Sequence, residues 1–181
     1  PLRRTLRSRT FILLYLSWVL ATTALFVPFV FLPTFALQQG AGPLAASALL
    51  SLFGGASILG RISIGAISER IGIVNLFKIS VFLMAASYTV WLAATSYAAL
   101  AGFSLVLGLA YGVRIALMPG VLIEAFGTRD LGAVLGIFFT ATGIAAAIGP
   151  PLAGAIMDHA GDARWAIAFA LVMGLLGFTA V

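Results

Sequence analysis

The sequence predicts an all-α membrane protein, a bundle of six transmembrane helices, and three observations predict it. Of 181 residues, 62% are hydrophobic and 8% are charged, against about 25% charged in a typical soluble domain. The chain therefore has too little polar surface to stand in water. From Phe11 to Gly60 there is no charge at all, and a hydrocarbon core of about 30 Å takes about 20 helical residues to cross. The charge-poor segments leave room for six crossings with short turns. Finally, the runs are continuously apolar rather than alternating, which excludes a β-barrel, the other architecture that satisfies its backbone inside lipid.

Residues 1–10 read as a basic cytoplasmic linker and residues 11–181 as the six-helix domain. The first span covers about Phe11 to Leu37. Pro28 and Pro33, in Phe26-Val-Pro-Phe-Val-Phe-Leu-Pro33, predict that its outer half is bent or partly unwound. Gln38 to Gly42 is a tight uncharged turn, and Pro43, suited to a first helical turn, opens a second span that ends near Ile67, with Ser68 to Gly72 as the loop. The third span covers about Val74 to Thr95. Thr95-Ser96 caps the fourth, about Tyr97 to Phe126, which contains Arg114 and Pro119. Gly127 to Asp130 is the next turn. The fifth span, about Leu131 to Met157, carries Pro150-Pro151, and Asp158 to Asp162 is its polar exit. The sixth begins near Ala163 and runs to Val181. Starting at Pro1 without methionine and stopping inside an apolar run, the sequence reads as a piece of a longer protein.

Lysine and arginine set the orientation, because cytoplasmic loops collect them. With the N-terminus inside, Arg3, Arg4, Arg7, Arg9, Arg61, Arg70, Lys78 and Arg129 lie at or near the inner face and Arg164 lies outside. The expected location is the cell (inner) membrane. The basic N-terminal segment is then a topology signal that also suits anionic lipid, not a nucleic-acid site. No cleavable signal peptide is visible, because the run that follows is too long for an h-region. There is no cysteine and one histidine, which removes thiol catalysis, disulfides and His or Cys metal clusters. No cofactor is implied.

Glycine is used as helix-packing material: Gly108-x-x-x-Gly112 and Gly132-x-x-x-Gly136 permit close backbone approach, or act as gating hinges. Prolines interrupt the first and fourth spans, which are corresponding members of two three-helix units, as in transporters built from nested inverted repeats.

The cassette Gly60-Arg61-Ile-Ser-Ile-Gly65-Ala-Ile-Ser68-Glu69-Arg70-Ile-Gly72 resembles the glycine, acid and base signature between the second and third helices of each half of the major facilitator superfamily, with Glu69 where an aspartate is usual. Around it, the proline-rich first span, Tyr111-Gly112 followed by Pro119 and Glu124-Ala-Phe-Gly127, and Gly149-Pro-Pro-Leu-Ala-Gly154 occur in the order found in the C-terminal half of monocarboxylate-transporter-like members. The resemblance implies one half of a twelve-helix fold, helices seven to twelve, completed by an N-terminal six-helix half outside this sequence. It also implies that helices seven, eight, ten and eleven face the central pathway.

In that family an arginine of helix eight binds the substrate carboxylate, and it matches Arg61. A guanidinium inside a span persists only where it snorkels, is paired or faces water, and its planar fork suits a carboxylate. Arg61 thus either binds an anion or merely snorkels or pairs. Ser57, one turn earlier, stands where animal relatives have an aspartate implicated in proton coupling; a serine hydrogen-bonds a carboxylate but carries no proton charge. Tyr111 matches an aromatic bordering the substrate cavity, or packs between helices. Arg114 departs from a usually uncharged position, and either lines the cavity for a second carboxylate or pairs with an acid from elsewhere. Gly65, Glu69, Arg70 and Gly72 form the conformational gate, with Glu69 near the N-terminus of helix eleven, around Leu131 to Gly132, where the helix dipole favours negative charge.

The function implied by the resemblance is a secondary transporter, moving a small organic anion across the bilayer. An exporter of drugs or other metabolites is the alternative. An enzyme would need a nucleophile–base pair or a metal cluster, and the scarcity of histidine, cysteine and acids speaks against one.

Overall fold

The computed structural model of the protein describes residues 2–181, and among them no strand occurs. Eight helices follow one another: α1 (Leu2–Leu6), α2 (Arg9–Gln38), α3 (Pro43–Ile62), α4 (Ile64–Ile71), α5 (Ile73–Leu92), α6 (Tyr97–Phe126), α7 (Leu131–Ala160) and α8 (Ala163–Thr179). Two are short, and the other six are the expected crossings. Of these, α2, α3, α5, α6 and α7 are long and apolar enough to span a membrane; α8, with 17 residues, rises roughly 26 Å, at the lower edge of what a core of about 30 Å requires.

The caps explain where the helices begin. Ser8 Oγ accepts from the Phe11 amide at 3.2 Å, so α2 starts two residues before the expected Phe11, and the segment read as a linker carries the short helix α1. Gly42 and Pro43 open α3 as expected. The Ser96 hydroxyl receives the Ala99 amide at the head of α6, and Asp162 Oδ1 receives the Arg164 amide at the head of α8.

Three expectations are corrected. The prolines interrupt neither α2, which is helical through Pro28 and Pro33, nor α6, which is helical through Pro119. Pro28 has no N–H for the Ala24 carbonyl, but Tyr88 of α5 donates its hydroxyl to that oxygen at 2.6 Å, so a neighbouring helix replaces the lost bond. The second span does not reach Ile67: α3 stops at Ile62, and α4 takes up Ser68 to Ile71, which read as loop. At the interruption the Ser63 hydroxyl donates to the Gly60 carbonyl at 2.9 Å, a local bond of the kind that competes with helix continuation. Only Gly72, at φ 86°, is the turn, in a conformation that glycine adopts freely. Lastly, Asp158 and His159 belong to the last turn of α7, which ends at Gly161 with φ 69°.

Helix α3 packs on α6, α5 on α6 and α8, and α2 on α7 and α8. The α3–α6 seam is the closest. A Cβ on Gly60 would run into the Leu109 carbonyl, one on Gly108 into that of Phe53, and one on Gly112 into that of Ser57. Gly108 and Gly112 therefore pack as expected. Gly132 and Gly136 do not: nothing lies within 4 Å of a Cβ on either, because α7 buries its other face, Val134, Phe138, Ala141, Ala145 and Ala153.

The apolar core is split in two along the bundle. One cluster gathers Phe11, Trp18, Phe77, Met118 and Phe138 toward the basic rim. The other gathers Leu32, Leu49, Tyr88, Trp91, Phe103 and Ile167 toward the far rim. At the far rim, side chains also tie separate helices together: Gln39 Nε2 donates to the Ala94 carbonyl and the Tyr97 hydroxyl to that of Ala45, both at 3.0 Å. Toward the basic rim the cross-helix tie is longer and deeper: the Tyr15 hydroxyl of α2 and Thr140 Oγ1 of α7 stand 3.4 Å apart.

Candidate functional site

Between the two apolar clusters lies a thin polar layer: Thr22 and Thr23 on α2, Ser57 on α3, Arg114 on α6 and Thr142 on α7. Each of these residues falls near the middle of its crossing, counting α3 and α4 as one. A polar layer at that depth is costly in lipid and marks a functional site by default.

Arg114 is its centre. It is 1% exposed, and its guanidinium turns toward α2. Its Cζ stands 4.0 Å from the centroid of the Trp18 ring. Nη1 and Nη2 donate to Thr22 Oγ1 at 3.4 and 3.3 Å, and Nη2 also donates to the Trp18 carbonyl at 3.3 Å. Nε has no partner. A cation–π contact contributes about 2 kcal/mol when desolvated, whereas an isolated buried charge costs far more. Trp18 in turn donates Nε1–H to Thr142 Oγ1 at 3.0 Å, so one chain of contacts links α6, α2 and α7. Neither Trp18, Thr22 nor Thr142 stood out in the sequence; the available signal was Trp18 and Thr22 one helical turn apart in an otherwise apolar span.

The other expected site residues are distributed differently. Ser57 is buried against Gly112, its hydroxyl without a partner. Tyr111 is half-buried and stacks on Phe53, with ring centroids 5.5 Å apart. Arg61, in the last turn of α3, is exposed. Ser57, Tyr111 and Arg114 thus share the α2–α3–α6 region, while Arg61 stands one turn from Ser57 on the open surface.

The gate residues Gly65, Glu69, Arg70 and Gly72 are exposed on or beside α4 at the basic rim, and α4 packs on α3, α5 and α6. Helix α7 starts at Asp130 without a side-chain cap, which leaves its first N–H groups open to a carboxylate. Elsewhere, an open cavity of about 340 Å³ at the basic rim is lined by Thr10, Phe77, Lys78 and Glu124 among others. One of about 510 Å³ at the far rim contains Gln38, Asp158 and Asp162. Neither reaches the mid-bundle layer. Among the described residues no group of three or more metal-ligating side chains gathers.

Comparison with known proteins adds a family. The family model described as Major Facilitator Superfamily matches residues 3–181. "MFS transporter asaE" of Aspergillus flavus is 31% identical over 172 residues, 94% of this chain and 39% of that protein. "Monocarboxylate transporter 3" of Rattus norvegicus is 30% identical over 154 residues, 83% of this chain and 31% of that protein. The "Fujikurins efflux protein" of Gibberella fujikuroi is 29% identical over 170 residues, 92% of this chain and 37% of that protein. The chain thus spans less than two fifths of the length of each of these curated relatives.

Proposed function

This chain belongs to the Major Facilitator Superfamily, and from that premise we propose that it forms the C-terminal six-helix half of a secondary transporter for a small organic anion, a monocarboxylate. The other half supplies the opposite wall, and the two rock about a site at mid-membrane depth. The chain has the N-terminus on the cytoplasmic side of the cell membrane.

The observation that carries the anion reading is the state of the charges within the crossings. Arg9 and Arg164 stand in the first turns of α2 and α8 and Lys78 in the second turn of α5, whereas Arg61 and Arg114 stand further from the ends of their crossings, counting α3 and α4 as one. The carboxylates, Glu69, Glu124, Asp130, Asp158 and Asp162, are all exposed near helix ends. An unneutralised cation within a crossing is a binding element for a negative ligand, and of the two Arg61 is the exposed one. Glu69 belongs to the gate: a carboxylate at the basic rim meets the uncapped start of α7 in one state of the cycle and leaves it in the other. A second reading, export of larger metabolites, is favoured by relatives named as efflux proteins.

The test is Arg61→Lys in the full-length protein reconstituted into liposomes. Lysine keeps the charge and loses the two-pronged fork, so carboxylate affinity falls about tenfold to a hundredfold, the equivalent of a lost charge-assisted hydrogen bond of roughly 1.5–3 kcal/mol, while membrane expression is retained. Wild-type lactate uptake by a well-expressed Arg61→Lys protein would sink the binding role. Lactate-independent efflux of bulky apolar compounds by the wild type would favour the second reading.

A further inference from the structure

Arg114 has five N–H donors, and its three hydrogen bonds reach only two acceptors, at 3.3–3.4 Å, the long end of the range. Nε is idle. An idle Nε–H beside an Nη–H is the edge that a carboxylate grips with two parallel bonds. Besides these bonds the cation lies against the face of an indole, an electrostatic partner that needs no fixed bond and yields to a true anion. Beside the indole the packing is incomplete. A cavity of about 40 Å³ between α6 and α7 is lined by Trp18, Met118, Phe138 and Phe139 among others. Tyr111, half-buried, stands one turn from Arg114 on the same helix.

We propose that Trp18 is a placeholder for a carboxylate: an anion entering the mid-bundle layer displaces the indole from Arg114, takes the Nε–Nη edge, and shifts α7 through the Trp18–Thr142 bond. The inference rests on the anion-transport reading and adds to it a second recognition element, Arg114, and the residue that sets its affinity, Trp18. The idle edge favours a bound anion over a protein acid, since every carboxylate of the described chain is exposed near a helix end.

The experiment uses the full-length protein labelled with fluorotryptophan, its Trp18 resonance assigned by Trp18→Phe, and titrated with sodium lactate against sodium chloride at equal ionic strength. Lactate should move the Trp18 resonance saturably, chloride should not, and Arg114→Gln should abolish the movement. Trp18→Leu removes the competitor, so lactate affinity should rise roughly twofold to thirtyfold; a merely structural tryptophan would give the opposite sign. Flux measured on the same preparation separates the two ideas. Lactate flux with a still Trp18 resonance, an equal shift with chloride, a shift that survives Arg114→Gln, or weaker lactate binding in Trp18→Leu overturns the placeholder. A lactate-specific, Arg114-dependent shift without flux upholds it and overturns the transport reading.

Discussion

Pro28 deletes one donor from the middle of a crossing, and Tyr88 restores it from the next helix at 2.6 Å. The arrangement is a paired substitution waiting to be measured. Tyr88→Phe leaves the Ala24 carbonyl buried without a donor, which costs about 1–3 kcal/mol. In a Pro28→Ala background the helix supplies its own N–H and most of that cost disappears, a coupling visible as non-additive shifts in thermal unfolding in detergent. Additive shifts would mean that the phenol does not serve the proline. The same scale shows what sequence reading misses. Arg114 and Pro28 are conspicuous in an apolar run, but their partners, Trp18 and Tyr88, are 96 and 60 positions away, and nothing local announces them.

At the scale of helices, boundaries were legible where chemistry marks them. Ser96 and Pro43 announce the heads of α6 and α3, and both helices begin there. Helix α4 was not legible, because a short run with glycine, serine and two opposite charges looks like a loop, although Glu and Arg are good helix formers. A small-xxx-small pattern reveals capacity for close packing but not which face uses it. Gly108 and Gly112 meet α3 while Gly132 and Gly136 meet open space. Gly112→Val should therefore force α3 and α6 apart and destabilise by at least the 1–3 kcal/mol of an overpacked core. Gly136→Val should leave the folding of this half unchanged. Monodisperse yield in detergent compares the two, and equal losses would contradict the seam.

For the whole molecule, the uneven distribution of arginine predicts that the rim carrying Arg3, Arg4, Arg7, Arg9, Arg70 and Arg129 faces the cytoplasm. Residues 1–181 contain no cysteine, so in a full-length background cleared of any other cysteine Gln38→Cys, at the far rim, and Arg129→Cys, at the basic rim, can each be labelled alone. In intact cells an impermeant maleimide should reach the first and not the second; the reverse pattern would invert the topology.

The two rims also differ in how they are fastened. Gln39 and Tyr97 lash the far ends of α2, α3, α5 and α6 into a frame, while at the basic end α3 hands over to α4 through a one-residue break, followed by Gly72. A bundle clamped at one end and jointed at the other behaves like a fan held at its rivet: its softest deformation spreads the free ends and leaves the clamped ones nearly still. On the transport reading proposed above, this placement of fasteners predicts that the basic rim splays more readily than the far one.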